Sequence, residues 1–156
     1  QFAKLDKSQT YKFIDFAPVV SLSKYIKKFP FLTYRTSDLY KEDVDDKGVD
    51  LTNMKGTYAD NSVDFFLCSH MLEHIEDDIS ALKELYRILS TRGWGILMVP
   101  ISLGLDEVYE NPEIKTEAER WKHFGQGDHV RMYSKGGFVE RTKTLEVSFY
   151  IFRQGF

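Results

Sequence analysis

The stretch Val63–Pro100 decides the fold class of this 156-residue chain, and it reads VDFFLCSHMLEHIEDDISALKELYRILSTRGWGILMVP. Val63–Cys68 is apolar almost throughout, as expected of a strand that is covered on both faces. Asp78–Leu89 repeats apolar residues at helical spacing, which predicts an amphipathic helix. Its predicted buried stripe consists of Ile79, Leu82, Leu85, Tyr86 and Leu89. Trp94–Val99 forms a further strand after a predicted turn at Gly93, so the order is that of a βαβ unit in a parallel sheet.

The rest of the chain shows the same alternation of short apolar runs and amphipathic stretches. The predicted elements before the central unit are strands at Tyr11–Phe16, Leu32–Ser37 and Val49–Leu51 and a helix at Ser21–Phe29. Ser21 is the predicted N-cap of that helix, and Pro30 is its predicted stop. The predicted elements after the central unit are a helix at Glu117–Phe124, a surface turn at 135–137, a helix beginning at Phe138–Arg141 and a strand at Leu145–Arg153. We predict one doubly wound α/β domain over residues 1–156.

Composition and charge argue against several classes of function. Hydrophobic residues make up 42% of the chain, charged residues 29%, and the net charge is -3. No basic stripe gathers on one predicted face, so we expect no nucleic-acid partner. No apolar run approaches membrane-spanning length, so we expect no membrane partner. The single cysteine, Cys68, excludes an internal disulfide, fits a reducing cytoplasm and is expected in the core.

Ligands of open parallel sheets bind beyond the carboxyl ends of the strands, so residues that follow each predicted strand are candidates for a site. Asp38 ends the second strand, and its two oxygens can accept both hydroxyls of an adenosine ribose. A turn or helix-cap role is an equally good interpretation of Asp38. Asp50 can accept from an adenine amino group with Leu51 against the ring, although a plain loop carboxylate is the alternative. Ser69, His70, Glu73 and His74 follow the fourth strand, and Pro100, Ile101 and Ser102 follow the fifth.

Several features of the central stretch follow one another in a characteristic order. Asp64 begins the strand, Ser-His with Leu-Glu-His follows it, Glu-Leu-Tyr-Arg-Ile-Leu lies in the helix, and the last strand ends in Val-Pro. Phe-Ala-Pro occupies residues 16–18, and Gly-Asp-His-Val-Arg-Met-Tyr occupies residues 127–133. This combination resembles class I S-adenosylmethionine (SAM)-dependent methyltransferases of type 11, in a subgroup with Phe-Ala-Pro in place of the glycine-rich loop. The resemblance is close over residues 50–100.

The resemblance implies a seven-stranded Rossmann-like sheet and SAM-dependent methyl transfer to a small-molecule acceptor in a bacterial protein. The cofactor-binding residues that it implies are Phe16, Ala17, Pro18, Asp38, Asp50, Leu51, Ser69 and His70. His129 and His70 are the implied catalytic residues, because an imidazole can remove a proton from the acceptor. The implied substrate-side residues are Asp128, Arg131 and Tyr133. A loop histidine held by a neighbouring carboxylate is the structural alternative for His129.

The loop after the first strand departs from the family pattern, because no glycine occurs before Gly48. Glycines in this loop let the backbone approach the amino-acid part of SAM, and Ala17 and Pro18 stand in their place. Either the loop binds SAM in a reshaped form, or binding is weak or lost. A non-catalytic binding or scaffold protein on the same fold is therefore an alternative function.

A zinc hydrolase is the remote alternative, because residues 70–74, His-Met-Leu-Glu-His, fit the His-x-x-Glu-His pattern of inverted zinc proteases. Histidines four positions apart on a helix share a face and can ligate one metal ion, with Glu73 as general base. The segment follows a buried strand directly, and its surroundings match the methyltransferase pattern over a long stretch. We therefore expect no metal among the site residues.

Overall fold

Five parallel strands form the central sheet in the order β3-β2-β1-β4-β5. The computed structural model of the protein describes residues 5–143, so the predicted strand Leu145–Arg153 lies outside the described residues. The strands are β1 (Tyr11–Phe16), β2 (Leu32–Asp38), β3 (Asp46–Lys47), β4 (Val63–Ser69) and β5 (Leu89–Met98). The helices are α1 (Val20–Ile26), α2 (Asp78–Ile88), α3 (Glu117–Phe124) and α4 (Lys135–Lys143).

Shorter elements follow β4 and β5. A short 3-10 helix, Leu72–His74, follows β4. An antiparallel pair joins β6 (Tyr109–Glu110) to β7 (Arg131–Met132). Beside it, Ile101 forms an isolated parallel bridge with Tyr133. These links bring the late part of the chain back to the loop that follows β5.

Alternate residues of the central strands enter two separate cores, one on each face of the sheet. Ile14 and Phe66 pack with the inward face of α2, whereas Phe13 and Phe65 pack with Ile26 of α1. This two-sided burial explains why the sequence of β4 is continuously apolar. The doubly wound α/β fold predicted from the sequence is therefore confirmed. Cys68 is buried in the α2-side core, as expected.

The structure corrects several predicted element boundaries. The third strand is Asp46–Lys47 rather than Val49–Leu51, because the backbone pairs with β2 before the apolar residues begin. The first helix begins after Val19, so Ser21 is not its N-cap, and it ends at Ile26, well before Pro30. Residues 135–137 begin α4 instead of forming a turn.

The buried face of α2 also differs from its prediction. Leu82 and Leu85 are buried as predicted, but Tyr86 is exposed, and the remaining apolar positions of the face are Ala81 and Ile88. Asp77 caps the N-terminus, and its carboxylate accepts from the Ser80 backbone N–H at 2.9 Å.

Gly93 lies inside β5 rather than in the predicted turn. Its backbone approaches the partner strand β4 closely. A Cβ at this position would lie 2.7 Å from the carbonyl oxygen of Asp64 in β4. Glycine in a strand interior marks such a close backbone approach. Among residues 5–143, no helix has the length and apolar character that crossing a membrane requires.

Candidate functional site

Backbone hydrogen bonds join the carboxyl ends of neighbouring strands into one continuous edge. The Ala17 N–H donates to the Ser37 carbonyl at 2.9 Å, which joins the end of β1 to β2. The His70 N–H donates to the Met98 carbonyl at 2.8 Å, which joins the end of β4 to β5. The predicted cofactor residues that follow β1, β2 and β4 therefore share the edge at which ligands of open α/β sheets bind.

The loop after β1 makes its tight turn without glycine. Ala17 has a φ of 54°, which is the left-handed region that residues with a Cβ rarely adopt. Pro18 follows it with no N–H to offer. Ala17 thus supplies the backbone path that a glycine supplies in a glycine-rich loop, and this is how the reshaped loop turns away from the sheet.

Asp38 ends β2 with its carboxylate turned into the following loop. One oxygen accepts from the Tyr40 N–H at 2.8 Å and the Lys41 N–H at 3.0 Å. The other oxygen, Oδ2, lies 3.5 Å from the Lys41 ammonium. Burial acts to raise the pKa of Asp38, but these two N–H donors and the Lys41 charge outweigh it, so the pKa lies below its ordinary value. The carboxylate is therefore ionised at neutral pH, and the ribose contact of Asp38 stays a prediction.

The other predicted cofactor residues occupy different environments. Asp50 is exposed and accepts from the Thr52 N–H and hydroxyl, both at 2.8 Å. Leu51 and Phe16 are buried in the α2-side core, where Phe16 packs edge-on against Tyr58. The adenine contact of Leu51 and the cofactor contact of Phe16 stay predictions.

A cavity of about 210 Å³ lies beyond the ends of β4 and β5. Its lining includes Glu73, Ile101, Ser102, Phe124, His129 and Arg131. This volume is below the 300–1,000 Å³ that is typical of pockets for drug-sized ligands. The cavity is therefore small, and it lies beside the strand ends that carry the predicted cofactor residues.

Arg131 and Tyr133 anchor the stretch of residues 127–133, called the late motif below, to the segment after β4. The Arg131 guanidinium donates to the backbone carbonyls of Leu72, Ile75 and Glu76 and is only 3% exposed. The Tyr133 hydroxyl donates to the Asp78 carboxylate at 2.5 Å. These bonds revise the interpretation of both residues toward support of the cavity wall, and direct substrate contact stays a prediction.

The same anchoring brings His129 to the segment that follows β4. The Val130 N–H donates to the Glu73 carbonyl at 2.9 Å. The imidazole rings of His129 and His74 meet edge to face with centroids 4.7 Å apart. Asp128 is exposed, and its carboxylate lies 3.2 Å from Nδ1 of His74. Asp128 and His129, two site residues predicted from the sequence, therefore both lie against His74, which follows β4.

The Glu73 side chain lies at the centre of this group without hydrogen-bond partners. Glu73 is 1% exposed, and neither carboxylate oxygen accepts a hydrogen bond from any residue in the range 5–143. Nδ1 of His70 lies 3.4 Å from one of these oxygens, outside hydrogen-bond geometry. A buried carboxylate without donors is costly, so its position needs an explanation.

Burial changes the pKa of two groups, His129 at the cavity and Cys68 in the core. Burial lowers the pKa of His129, and the nearby His74 lowers it further, so the neutral imidazole is favoured. Burial also raises the pKa of the Cys68 thiol, which makes this residue an unreactive part of the core.

The structure corrects the geometry on which the zinc-hydrolase alternative rested. Residues 70–74 do not form an α-helix, because His70 has a φ of 53° and only Leu72–His74 makes a 3-10 turn. His70 and His74 therefore do not share a helix face. The sequence places Glu73 among the residues that follow the fourth strand and in the zinc alternative, but the predicted site residues do not include it.

Comparison with known proteins agrees with the geometry. Residues 23–97 match a family model described as a methyltransferase domain. No curated protein matches the chain significantly in sequence.

Solved structures show the same fold at low sequence identity. A SAM-dependent methyltransferase from Mesorhizobium loti superposes with a TM-score of 0.62 at 13% identity, covering 92% of this chain and 77% of that one. The YcgJ protein of Bacillus subtilis gives a TM-score of 0.61 at 15% identity, covering 89% and 62%. A SAM-dependent methyltransferase from Archaeoglobus fulgidus gives 0.58 at 13% identity, covering 87% and 60%. The chain thus spans about three fifths of the length of the last two proteins.

The matched segment and the fold agree with each other. Residues 23–97 match the methyltransferase-domain model, and the chain has the fold of the SAM-dependent methyltransferases on which it superposes. The resemblance to class I SAM-dependent methyltransferases is thereby confirmed, whereas the subgroup with Phe-Ala-Pro stays a prediction.

Proposed function

We propose that the chain transfers a methyl group from SAM to a small-molecule acceptor. The observation that carries the proposal is the adjacency of two half-sites on one edge of the sheet. The ends of β1 and β2 present Ala17 and Asp38, and the cavity beyond β4 and β5 is lined by His129. Ser69 and His70 lie at the end of β4, which stands between β1 and β5 in the sheet. The His70 N–H donates to the Met98 carbonyl at the end of β5.

Each residue of this edge has a definite proposed task. Oδ2 of Asp38 accepts a ribose hydroxyl, and the Ala17 turn leaves room for the amino-acid part of the cofactor. SAM supplies the methyl group on a sulfonium. The cavity holds the acceptor in line with that group, and such positioning accounts for much of the rate in a two-reactant reaction. His129 is the side chain proposed to accept a proton from the acceptor, with His70 as the second candidate.

The proposal is tested by equilibrium dialysis of the purified chain with radiolabelled SAM, comparing wild type with Asp38→Ala. We expect the substitution to weaken SAM binding at least tenfold, which corresponds to about 1.4 kcal/mol. Asp43→Ala removes an exposed carboxylate from the same loop and is the matched control. We expect this control to bind SAM as wild type does.

Two results would contradict the proposal. Equal affinity of wild type and Asp38→Ala would remove the cofactor-site assignment. Absence of SAM binding by a folded wild-type chain would leave the non-catalytic scaffold as the better interpretation of the fold.

A further inference from the structure

We propose that Glu73, His74 and His129 form a binding site for one divalent transition-metal ion. The potential ligand atoms of these three side chains all lie within 4.8 Å of one another. Two imidazoles and one carboxylate are a ligand set that zinc uses in catalytic sites, where the remaining position is left to water or substrate.

The unpartnered carboxylate of Glu73 is the independent observation that points to a cation. Its side chain is 2% exposed, and both oxygens lack hydrogen-bond donors among the described residues, although Nδ1 of His70 lies 3.4 Å from one of them. Burying an ionised carboxylate without a partner is unfavourable. A bound cation at this position supplies the missing partner and accounts for the geometry.

The surroundings of the three ligands fit a metal centre. The Asp128 carboxylate lies 3.2 Å from Nδ1 of His74, which leaves Nε2 of that ring for a metal ion. In zinc sites a carboxylate that accepts a hydrogen bond from the second nitrogen of a ligating histidine orients the ring and raises its basicity. Asp128 lies close enough to His74 to take this role when an ion is bound. The bond from Val130 N–H to the Glu73 carbonyl holds the His129 loop against the other two ligands.

The three ligand atoms must move closer together to hold an ion. Ligand atoms of a tetrahedral zinc site lie about 3.4 Å apart, since each bond is about 2.0–2.1 Å long, whereas those of Glu73, His74 and His129 lie within 4.8 Å of one another. His74 and His129 are both half-buried. The imidazole and carboxylate donors favour Zn²⁺ or Co²⁺ over Mg²⁺, which prefers a shell of oxygen ligands and keeps its waters.

The site opens onto the cavity, because Glu73 and His129 both line it. An ion held there would present its open position to the acceptor and lower the pKa of a bound hydroxyl or water. With an ion bound, His129 would be a ligand and could not accept the acceptor's proton, so the ion would supply that activation instead. This use of the ion rests on the proposed methyl transfer, whereas metal binding itself does not.

The test is a titration of the chelator-treated chain with Zn²⁺ and Co²⁺ in the absence of SAM. We expect one equivalent of Zn²⁺ to bind with micromolar affinity or tighter, Co²⁺ to give visible d–d absorption, and millimolar Mg²⁺ not to compete. Glu73→Gln, which keeps the shape of the side chain, and His129→Ala should each weaken Zn²⁺ binding at least tenfold. Circular dichroism and thermal unfolding of each variant establish that it is folded.

Two histidine variants serve as controls. His123→Ala removes an imidazole bonded to Tyr109 outside the group and should leave Zn²⁺ affinity unchanged. His70→Ala should retain Zn²⁺ binding, which separates this site from the His-x-x-Glu-His pattern. The proposal is overturned if wild type binds no Zn²⁺, if Glu73→Gln and His129→Ala bind as wild type, or if His70→Ala alone abolishes binding. Because SAM is absent, failure of the methyltransferase proposal leaves this result unaffected.

Discussion

Ala17 shows how one residue can satisfy a backbone requirement that the sequence pattern assigns to glycine. Its φ of 54° is costly for a residue with a Cβ, by about 1–2 kcal/mol. The lack of glycine before Gly48 suggested a reshaped loop or a lost site. The structure shows a loop that keeps the tight turn and bears its strain at the strand end where the cofactor is proposed to bind, as strained residues often do at functional sites.

The strain at Ala17 predicts that Ala17→Gly stabilises the protein. Glycine removes the left-handed penalty but adds freedom to the unfolded chain, which costs about 0.4–1 kcal/mol. We expect a net gain of about 0.5 kcal/mol in the free energy of unfolding, measured by urea denaturation. Ala118→Gly on the exposed face of α3 is the matched control and should destabilise by about 1 kcal/mol. Equal destabilisation by both substitutions would contradict the account.

At the scale of elements, the short segments after β4 and before α4 depend on one another. The Arg131 guanidinium satisfies three carbonyls of the segment that includes Leu72–His74 and also pairs with Glu110 at 2.9 Å. Short 3-10 segments have weak hydrogen-bond geometry of their own, so this side chain stabilises the turn that carries Glu73. The Arg-x-Tyr part of the late motif thus has a structural reason as well as a proposed functional one.

Arg131→Ala is therefore expected to destabilise the protein by about 3 kcal/mol, because it leaves three largely buried carbonyls without this donor and removes the pair with Glu110. Chemical denaturation followed by circular dichroism measures the change. Arg92→Ala removes an exposed arginine from β5 and should change the free energy of unfolding by less than about 0.5 kcal/mol. If the two substitutions cost the same, the anchoring role of Arg131 is wrong.

Elements with a strong local pattern were predictable, and the assembled site was not. Tyr11–Phe16 and Glu117–Phe124 match their predicted bounds, because apolar runs and helical periodicity are local properties. The two-residue strand Asp46–Lys47 has no apolar pattern and could not be recognised. The meeting of Glu73 with His129 depends on backbone bonds between segments more than 50 positions apart, which no local pattern encodes.

Across the whole molecule, several carboxylates stabilise the folded state through guanidinium partners. The Arg35 guanidinium is the main cause of the lowered pKa of Asp46, and the Arg87 guanidinium is the main cause for Glu84. A carboxylate whose pKa is lower in the folded state contributes stability above its unfolded pKa, near 4. That contribution is lost as the pH falls through the folded pKa.

We therefore expect the free energy of unfolding to fall on acidification from pH 7 to pH 3. Urea denaturation at a series of pH values measures this dependence. Glu84→Gln removes one of the contributing carboxylates, so its stability should fall less steeply than that of wild type. Stability that is constant or rises over this range would contradict the assignment.

We propose that the carboxyl edge of this sheet binds the cofactor of a class I methyltransferase. Isothermal titration of the purified chain with S-adenosylhomocysteine, the product form of the cofactor, tests it most directly. We expect one site per chain with a micromolar dissociation constant, because the strand ends, the Ala17 turn and the Asp38 carboxylate all lie on that edge. A folded chain that gives no binding heat and no thermal stabilisation with the nucleotide at millimolar concentration would contradict it.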